Sequence, residues 1–131
     1  MLPKFEEFIK NKLPNNSYID HDEFDSLFLR KGNIRVNVNG TLYECSNVIT
    51  IAVIESTKPG TGAFKRFAQS LIEKNYAIYV ECVQNGTFAK GLEKHGFTRV
   101  NLHHDELSRY YLFNFEGHLK KVNLPKHFVS S

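Results

Sequence analysis

Long hydrophobic runs are missing from this chain. No stretch approaches the roughly 20 apolar residues that a membrane-spanning helix needs, so no membrane anchor is expected. The first residues, Met1 to Leu13, include Glu6 and Glu7 and hold no apolar signal block, so a cytoplasmic protein is expected. Cysteine is scarce. Cys45 and Cys82 suit a reducing compartment and are expected as small buried residues in strands; their number permits a disulfide that nothing else supports. A charge excess of one sign is absent too. The formal net charge is only +3, and no face interleaves basic with aromatic residues, which argues against a nucleic-acid partner. Internal repeats and low-complexity segments are also lacking. What remains, 131 residues with 41% hydrophobic and 24% charged, fits one domain, 1–131, large enough for its own core.

The chain is organised around the stretch from Val48 to Asn75. Val48 to Ile54 is apolar except for Thr50 and rich in β-branched residues, which predicts a strand buried on both faces. Phe64, Phe67, Ala68, Leu71 and Ile72 form the stripe of an amphipathic helix. Between them lies Lys58-Pro59-Gly60-Thr61-Gly62, leading directly into Ala63 and Phe64. A glycine turn at a helix start offers free backbone N–H groups and the positive end of a dipole, the setting for a phosphate. Two nucleotide fingerprints are excluded. The third glycine of a G-x-G-x-x-G loop is missing, and so is the G-K-[ST] of a P-loop.

Thr57 to Gly62 resembles motif A (Q/R-x-x-G-x-G/A) of the GNAT superfamily of N-acetyltransferases, with Thr57 where that family usually has Gln or Arg. A second strand, Ala77 to Val83, leads to Asn85, Glu93, Lys94, Gly96 and Phe97, which fall in register with the family's motif B, N-x-x-A-x-x-L-Y-E-K-x-G-F. The resemblance spans Val48 to Phe97, with motif A at about 48–75 and motif B at about 77–97. It implies an α/β fold whose central mixed sheet is flanked by about four helices. Read without the family, Asn85 is a helix cap and Gly96 a helix stop.

In chain order, Leu2, Phe5, Phe8, Ile9 and Leu13 predict a first helix, ended by Pro14 to Ser17. Asp20 and Glu23 in capping-box spacing, with Phe24, Leu27 and Phe28 on one face, predict a second helix running through Arg30 and Lys31 to a stop at Gly32. By position, Asn15 to His21 is the family's acceptor-covering connection. Ile34, Val36 and Val38 alternate up to Asn39-Gly40, a hairpin signal; Thr41 to Cys45 returns, and Ser46-Asn47 is expected to turn into the central strand. Thr98 to Leu102 and Arg109 to Phe115 predict a final antiparallel pair, with a loosely packed tail from Gly117. His103, His104, Asp105 and Glu106 read as a solvated loop rather than a metal site.

The resemblance implies acetyl transfer from acetyl-CoA to an amine acceptor, a small amine or a protein lysine, by direct attack in a ternary complex. The backbone at Val53 and Ile54 would hold the pantetheine arm, Lys58 to Phe64 the pyrophosphate, and Asn85 the arm again; Lys58, Lys65 or Arg66 could add charge. An amine with a pKa near about 10.4 must lose a proton, and Glu81 or Glu55 is the expected base. Leu92 stands where the family has the tyrosine that protonates the leaving thiolate, leaving Tyr79, Tyr110 and Tyr111 as substitutes. The rival expectation is a weak or inactive member of the same fold that binds CoA or a protein as a regulatory module. The family normally begins with one more strand before its first helix, and a small stand-alone transferase trimmed in this way resembles those carried by bacteriophages. A homodimer is left open.

Overall fold

Buried strands and amphipathic helices from this pattern assemble into an α+β fold around a mixed seven-stranded sheet. A computed structural model describes residues 3–56, 62–102 and 108–122. Among them the elements run α1 (Pro3–Ile9), β1 (Asn16–Tyr18), β2 (Phe24–Val38), β3 (Thr41–Ser56), α2 (Ala63–Glu73), β4 (Ala77–Val83), α3 (Gly86–Lys94), β5 (Thr98–Val100), β6 (Arg109–Phe113) and β7 (Leu119–Lys121). The sheet order is β1-β2-β3-β4-β6-β5, with β7 on β3. Only β3 and β4 pair in parallel, joined by the crossover through α2.

Side-chain alternation divides the interior in two. On one face Ile49, Ile51, Ile78, Val80 and Tyr111 meet Phe5 and Phe8 of α1, Phe67 and Leu71 of α2, and Leu92 of α3. On the other, Val48, Ala77, Tyr79, Val100 and Leu112 are covered by strand residues, among them Val36 and Cys45. All three helices lie on the first face. The β2–β3 hairpin closes over the second, turning at Asn39 and Gly40, both at positive φ, and fastened to the segment after β5. There Asn101 N–H donates to Asn37 O at 2.9 Å, and Asn37 N–H to Asn101 Oδ1 at 2.7 Å.

Several expectations are corrected. Three helices are present among the described residues rather than about four. The second helix expected from Asp20 to Gly32 is the start of β2. A bulge between Phe24 and Ser26, where Asp25 is the extra residue of β2, resets the two-residue alternation. Phe24 and Leu27, both buried, consequently stand three residues apart, as on a helix. Ser46-Asn47 is no turn. β3 runs straight through it with Asn47 at φ 56, and there the strand changes partner, from β7 at Tyr43–Cys45 to β4 at Val48–Ile51. The tail expected to be loose contributes β7. Cys82 is exposed, whereas Cys45 is buried; both are free thiols, and burial pushes the Cys45 thiol up to about 11.

Lys31, expected at the end of a helix of its own, serves α1 instead. Its ammonium donates to Phe8 O at 2.6 Å, to Ile9 O at 3.4 Å and to Asn11 Oδ1, and lies 5.0 Å from the Phe8 ring centre. These carbonyls lie at the C-terminal end of α1, where Phe8 O also accepts from Asn11 N–H at 3.2 Å, and a cation is favoured there. Lys31→Ala is expected to cost about 1–2 kcal/mol and to lower the melting temperature by several degrees in a thermal melt. An unchanged melt would mean that water replaces the ammonium without loss.

Candidate functional site

The parallel pair β3–β4 is short. Its register is Val48↔Ala77, Ile49↔Ile78, Thr50↔Tyr79 and Ile51↔Val80. Beyond that point β3 continues to Ser56 and β4 to Val83, yet no pairing joins 52–56 to 81–83 among the described residues. β4 is distorted at the same place. Cys82 has φ 52, in the left-handed region, and the pairing with β6 skips between Val80 and Val83. The sheet therefore opens at its centre, and the two backbones that face each other there are not joined by a ladder.

On the helix face a cavity of about 620 Å³ lies between α2 and α3, above this opening. Five phenylalanines line it, Phe24, Phe64, Phe88, Phe97 and Phe113, together with Ile54 and Leu92. Phe64 meets Phe88 edge-on at 5.2 Å between ring centres, and Phe97 stacks on Phe113 at 4.7 Å. Among the described residues the polar lining comprises Lys65, Gln69, Asn85, Thr87 and His95, with no carboxylate. At its rim α2 begins at Gly62, with φ 81 and no side-chain cap. The first bond of that helix runs from Arg66 N–H to Gly62 O at 3.1 Å. The amides of Ala63, Phe64 and Lys65 thus have no acceptor among the described residues, which suits an anion. A side chain at Gly62 would sit in a disfavoured conformation and press on Arg66 Nη1, 3.3 Å from its Cβ.

The other face carries the carboxylates. Arg30, Thr50 and Tyr79 stand in one row across β2, β3 and β4, and Glu81 lies two residues beyond Tyr79 on the same side. Arg30 Nη1 is 2.7 Å from Glu81 Oε1 and spans the sheet where the parallel pairing ends. That oxygen is buried and, despite the short contact, receives no hydrogen bond of acceptable angle. The contact is one of charge. Glu55, paired with Ser26, is exposed and alternates with Ile54, which faces the cavity.

The expected site residues divide accordingly. Ile54, Gly62, Ala63, Phe64 and Asn85 come together around the cavity. Val53, partner of Phe28, borders the gap from the opposite face. Glu55 and Glu81 lie on that opposite face too. Lys58, Pro59, Gly60 and Thr61 fall outside the described residues, as do Thr57 and the His103 to Glu106 segment. Among the described residues no group of His, Cys, Asp and Glu could hold a metal, and no helix is long and apolar enough to cross a membrane. Arg66 is engaged by Glu23 at 2.5 Å, and among the described residues Lys65 is the cation that lines the cavity. Asn15 to His21 holds the edge strand β1.

The tyrosines also separate. Tyr111 is fully buried on the helix face, donates to Glu93 Oε2 at 2.5 Å, and is pushed up to about 12 by burial and by that carboxylate. Tyr79 accepts from Asn101 Nδ2 at 2.9 Å, and burial, helped by Glu81, raises its pKa well above the ordinary phenol range. Tyr110 lies over Tyr79 and takes a contact from Cys82 Sγ at 3.4 Å. Leu92 is 2% exposed and belongs to the core as well as to the cavity wall. Sequence reasoning missed Arg30, Phe88, Gly91 and Phe113. Only the β-sheet register brings Arg30 to Glu81, and the phenylalanines read simply as core. The chain matches no family model, no curated protein and no solved structure.

Asn85 is the residue with two readings. Its Oδ1 accepts from Phe88 N–H at 3.0 Å, so it caps α3, and its amide Nδ2 stays available at the cavity. Asn85→Ala is expected to lose about 1 kcal/mol of stability, whereas Asn85→Asp, an equal cap, keeps the melting temperature. Equal loss in both variants would show that the Nδ2 group, not the cap, holds the helix.

Proposed function

We propose that the protein is an acyl-CoA-dependent N-acetyltransferase of the GNAT kind, moving an acetyl group from acetyl-CoA to an amine in a ternary complex. The observation that carries this reading is the end of the parallel ladder at Ile51↔Val80, set between an acid-free cavity on one face and two carboxylates on the other. An extended polyamide arm satisfies strand backbones left open in this way, as an added strand would. The capless start of α2, with Lys65 beside it, fits the donor's phosphates. Asn85 Nδ2 is placed to donate to the arm.

Bound there, the donor supplies an electrophilic thioester carbonyl. The chain's own residues do the rest. The backbone at Val53 and Ile54 positions the carbonyl and offers it an N–H. The amine, a small amine or a protein lysine, approaches from the face of Glu55 and Glu81, since no carboxylate among the described residues lines the cavity. Glu81, its Oε1 buried against Arg30, takes the proton on its other carboxylate oxygen, while Arg30 holds the carboxylate toward the gap. The second reading, a CoA-binding module without turnover, draws on Leu92, whose buried apolar side chain gives the leaving thiolate no proton, and on Arg30, which weakens Glu81 as a base.

Calorimetry with acetyl-CoA and CoA is expected to show binding by the native protein; no heat with either removes the donor assignment. With an acceptor in hand, Glu81→Gln and Glu55→Gln are expected to lower kcat/KM by about 10²–10⁴-fold for whichever serves as base, with donor affinity unchanged. Full activity in the double variant would take both out of the mechanism. Donor binding without turnover on any amine would favour the module.

A further inference from the structure

The face from which the amine approaches is not uniformly polar. In the antiparallel register Tyr18 stands opposite Phe28, and Phe28 opposite Val53, so the three side chains form one row across β1, β2 and β3. The row runs inward from the sheet edge to the point where β3 parts from β4. Tyr18 is 65% exposed, and its ring meets the half-buried ring of Phe28 edge-on at 4.7 Å. We propose that this row is a shelf for the acceptor, and that the acceptor is an arylalkylamine, a primary amine with an aromatic ring two or three carbons away. This identity rests on the transferase reading above and narrows its acceptor.

Charge and aromatic surface lie at opposite ends of that row. At its inner end Glu55, exposed, is two residues beyond Val53 on the same side of β3, and Glu81 stands across the gap on β4. Arg30, two residues beyond Phe28, is held on Glu81 at 2.7 Å. One cation against two carboxylates leaves this end net negative, which draws an ammonium to it. At the outer end an exposed ring leans on a half-buried one. A third ring packs well on such a pair, edge-on or offset, and gains more than its area alone would give.

Strand spacing sets the length of the linker. Neighbouring strands lie about 4.8 Å apart, so the gap beyond β3 is roughly 7 Å from Phe28 on β2. A ring resting on the inner side of Phe28 therefore brings an amine two or three carbons away to the gap. The composition of β1 agrees. Edge strands are commonly protected by charge, yet β1 is Asn16, Ser17 and Tyr18, and the residue it exposes most on this face is aromatic.

The test is calorimetry with 2-phenylethylamine and with n-butylamine on the native protein saturated with CoA. The aryl amine is expected to bind at least about tenfold more tightly, through ring contact and added apolar burial. Tyr18→Ala should cut that preference to about threefold or less, and Tyr18→Phe should keep it. If Tyr18→Ala does not fold, Tyr18→Leu, which keeps apolar area without a ring, should lower the preference in the same direction. Equal affinities in the native protein, or a preference that survives loss of the Tyr18 ring, would overturn the shelf and leave the transferase reading intact. Binding of neither amine to the CoA-loaded protein would do the same. A lysine-bearing peptide bound more tightly than either amine would put a protein in the site and overturn the arylalkylamine. No heat with CoA itself would remove the transferase reading and this acceptor with it.

Discussion

The structure depends on one interrupted ladder. Adjacent strands in a twisted sheet diverge unless hydrogen bonds hold them, and β3 and β4 are held only from Val48↔Ala77 to Ile51↔Val80. Past that point Cys82 takes φ 52, a conformation that costs a non-glycine residue of order 1–3 kcal/mol and persists only where its surroundings enforce it. The same distortion shifts the register of β6 and turns Glu81 toward Arg30 across the gap. α2 and α3 bridge over the opening from the apolar face and leave a cavity between them. The hairpin of β2 and β3 closes the other end of the sheet, where Asn47 lets β3 exchange β7 for β4. A ladder continued to Ser56 and Val83 would leave no path between the two faces.

That path joins two unlike chemistries. On the helix side the described cavity lining is largely aromatic and holds no carboxylate, with an uncapped helix start and Lys65 at its edge. The far side presents Glu55 and Glu81, the latter sharing its charge with Arg30. An anionic amphiphile and a cationic amine would each be drawn to one side and repelled by the other, and they would meet at the gap. Tyr111 stands beside it on the helix face, its hydroxyl committed to Glu93 and kept protonated by burial.

Much of this was legible in the residues, and the failures have physical causes. The strand from Val48, the helix stripe from Phe64 to Ile72 and the strand from Ala77 were readable because both strands are buried on two faces while α2 is buried on one. The cap at Asn85 and the stop at Gly96 followed from backbone chemistry. Residues 20–32 misled because a bulge at Asp25 gave a strand the spacing of a helix. β7 was missed because a three-residue edge strand carrying Lys120 and Lys121 has no pattern to see. The pairing of Arg30 with Glu81 was out of reach for a different reason. It joins residues 51 positions apart through a third strand, so it exists only once the register does.

The central claim, that the gap between β3 and β4 accepts an extended donor arm, is tested most directly by amide-resolved NMR during a titration with CoA. The account predicts the largest shifts at residues 52–54, at Ala63 to Lys65 and at Asn85, with slowed amide exchange along 52–54 as the open backbone gains partners. Shifts confined to β1, β7 or the far hairpin, with 52–54 unaffected at saturating CoA, would contradict it.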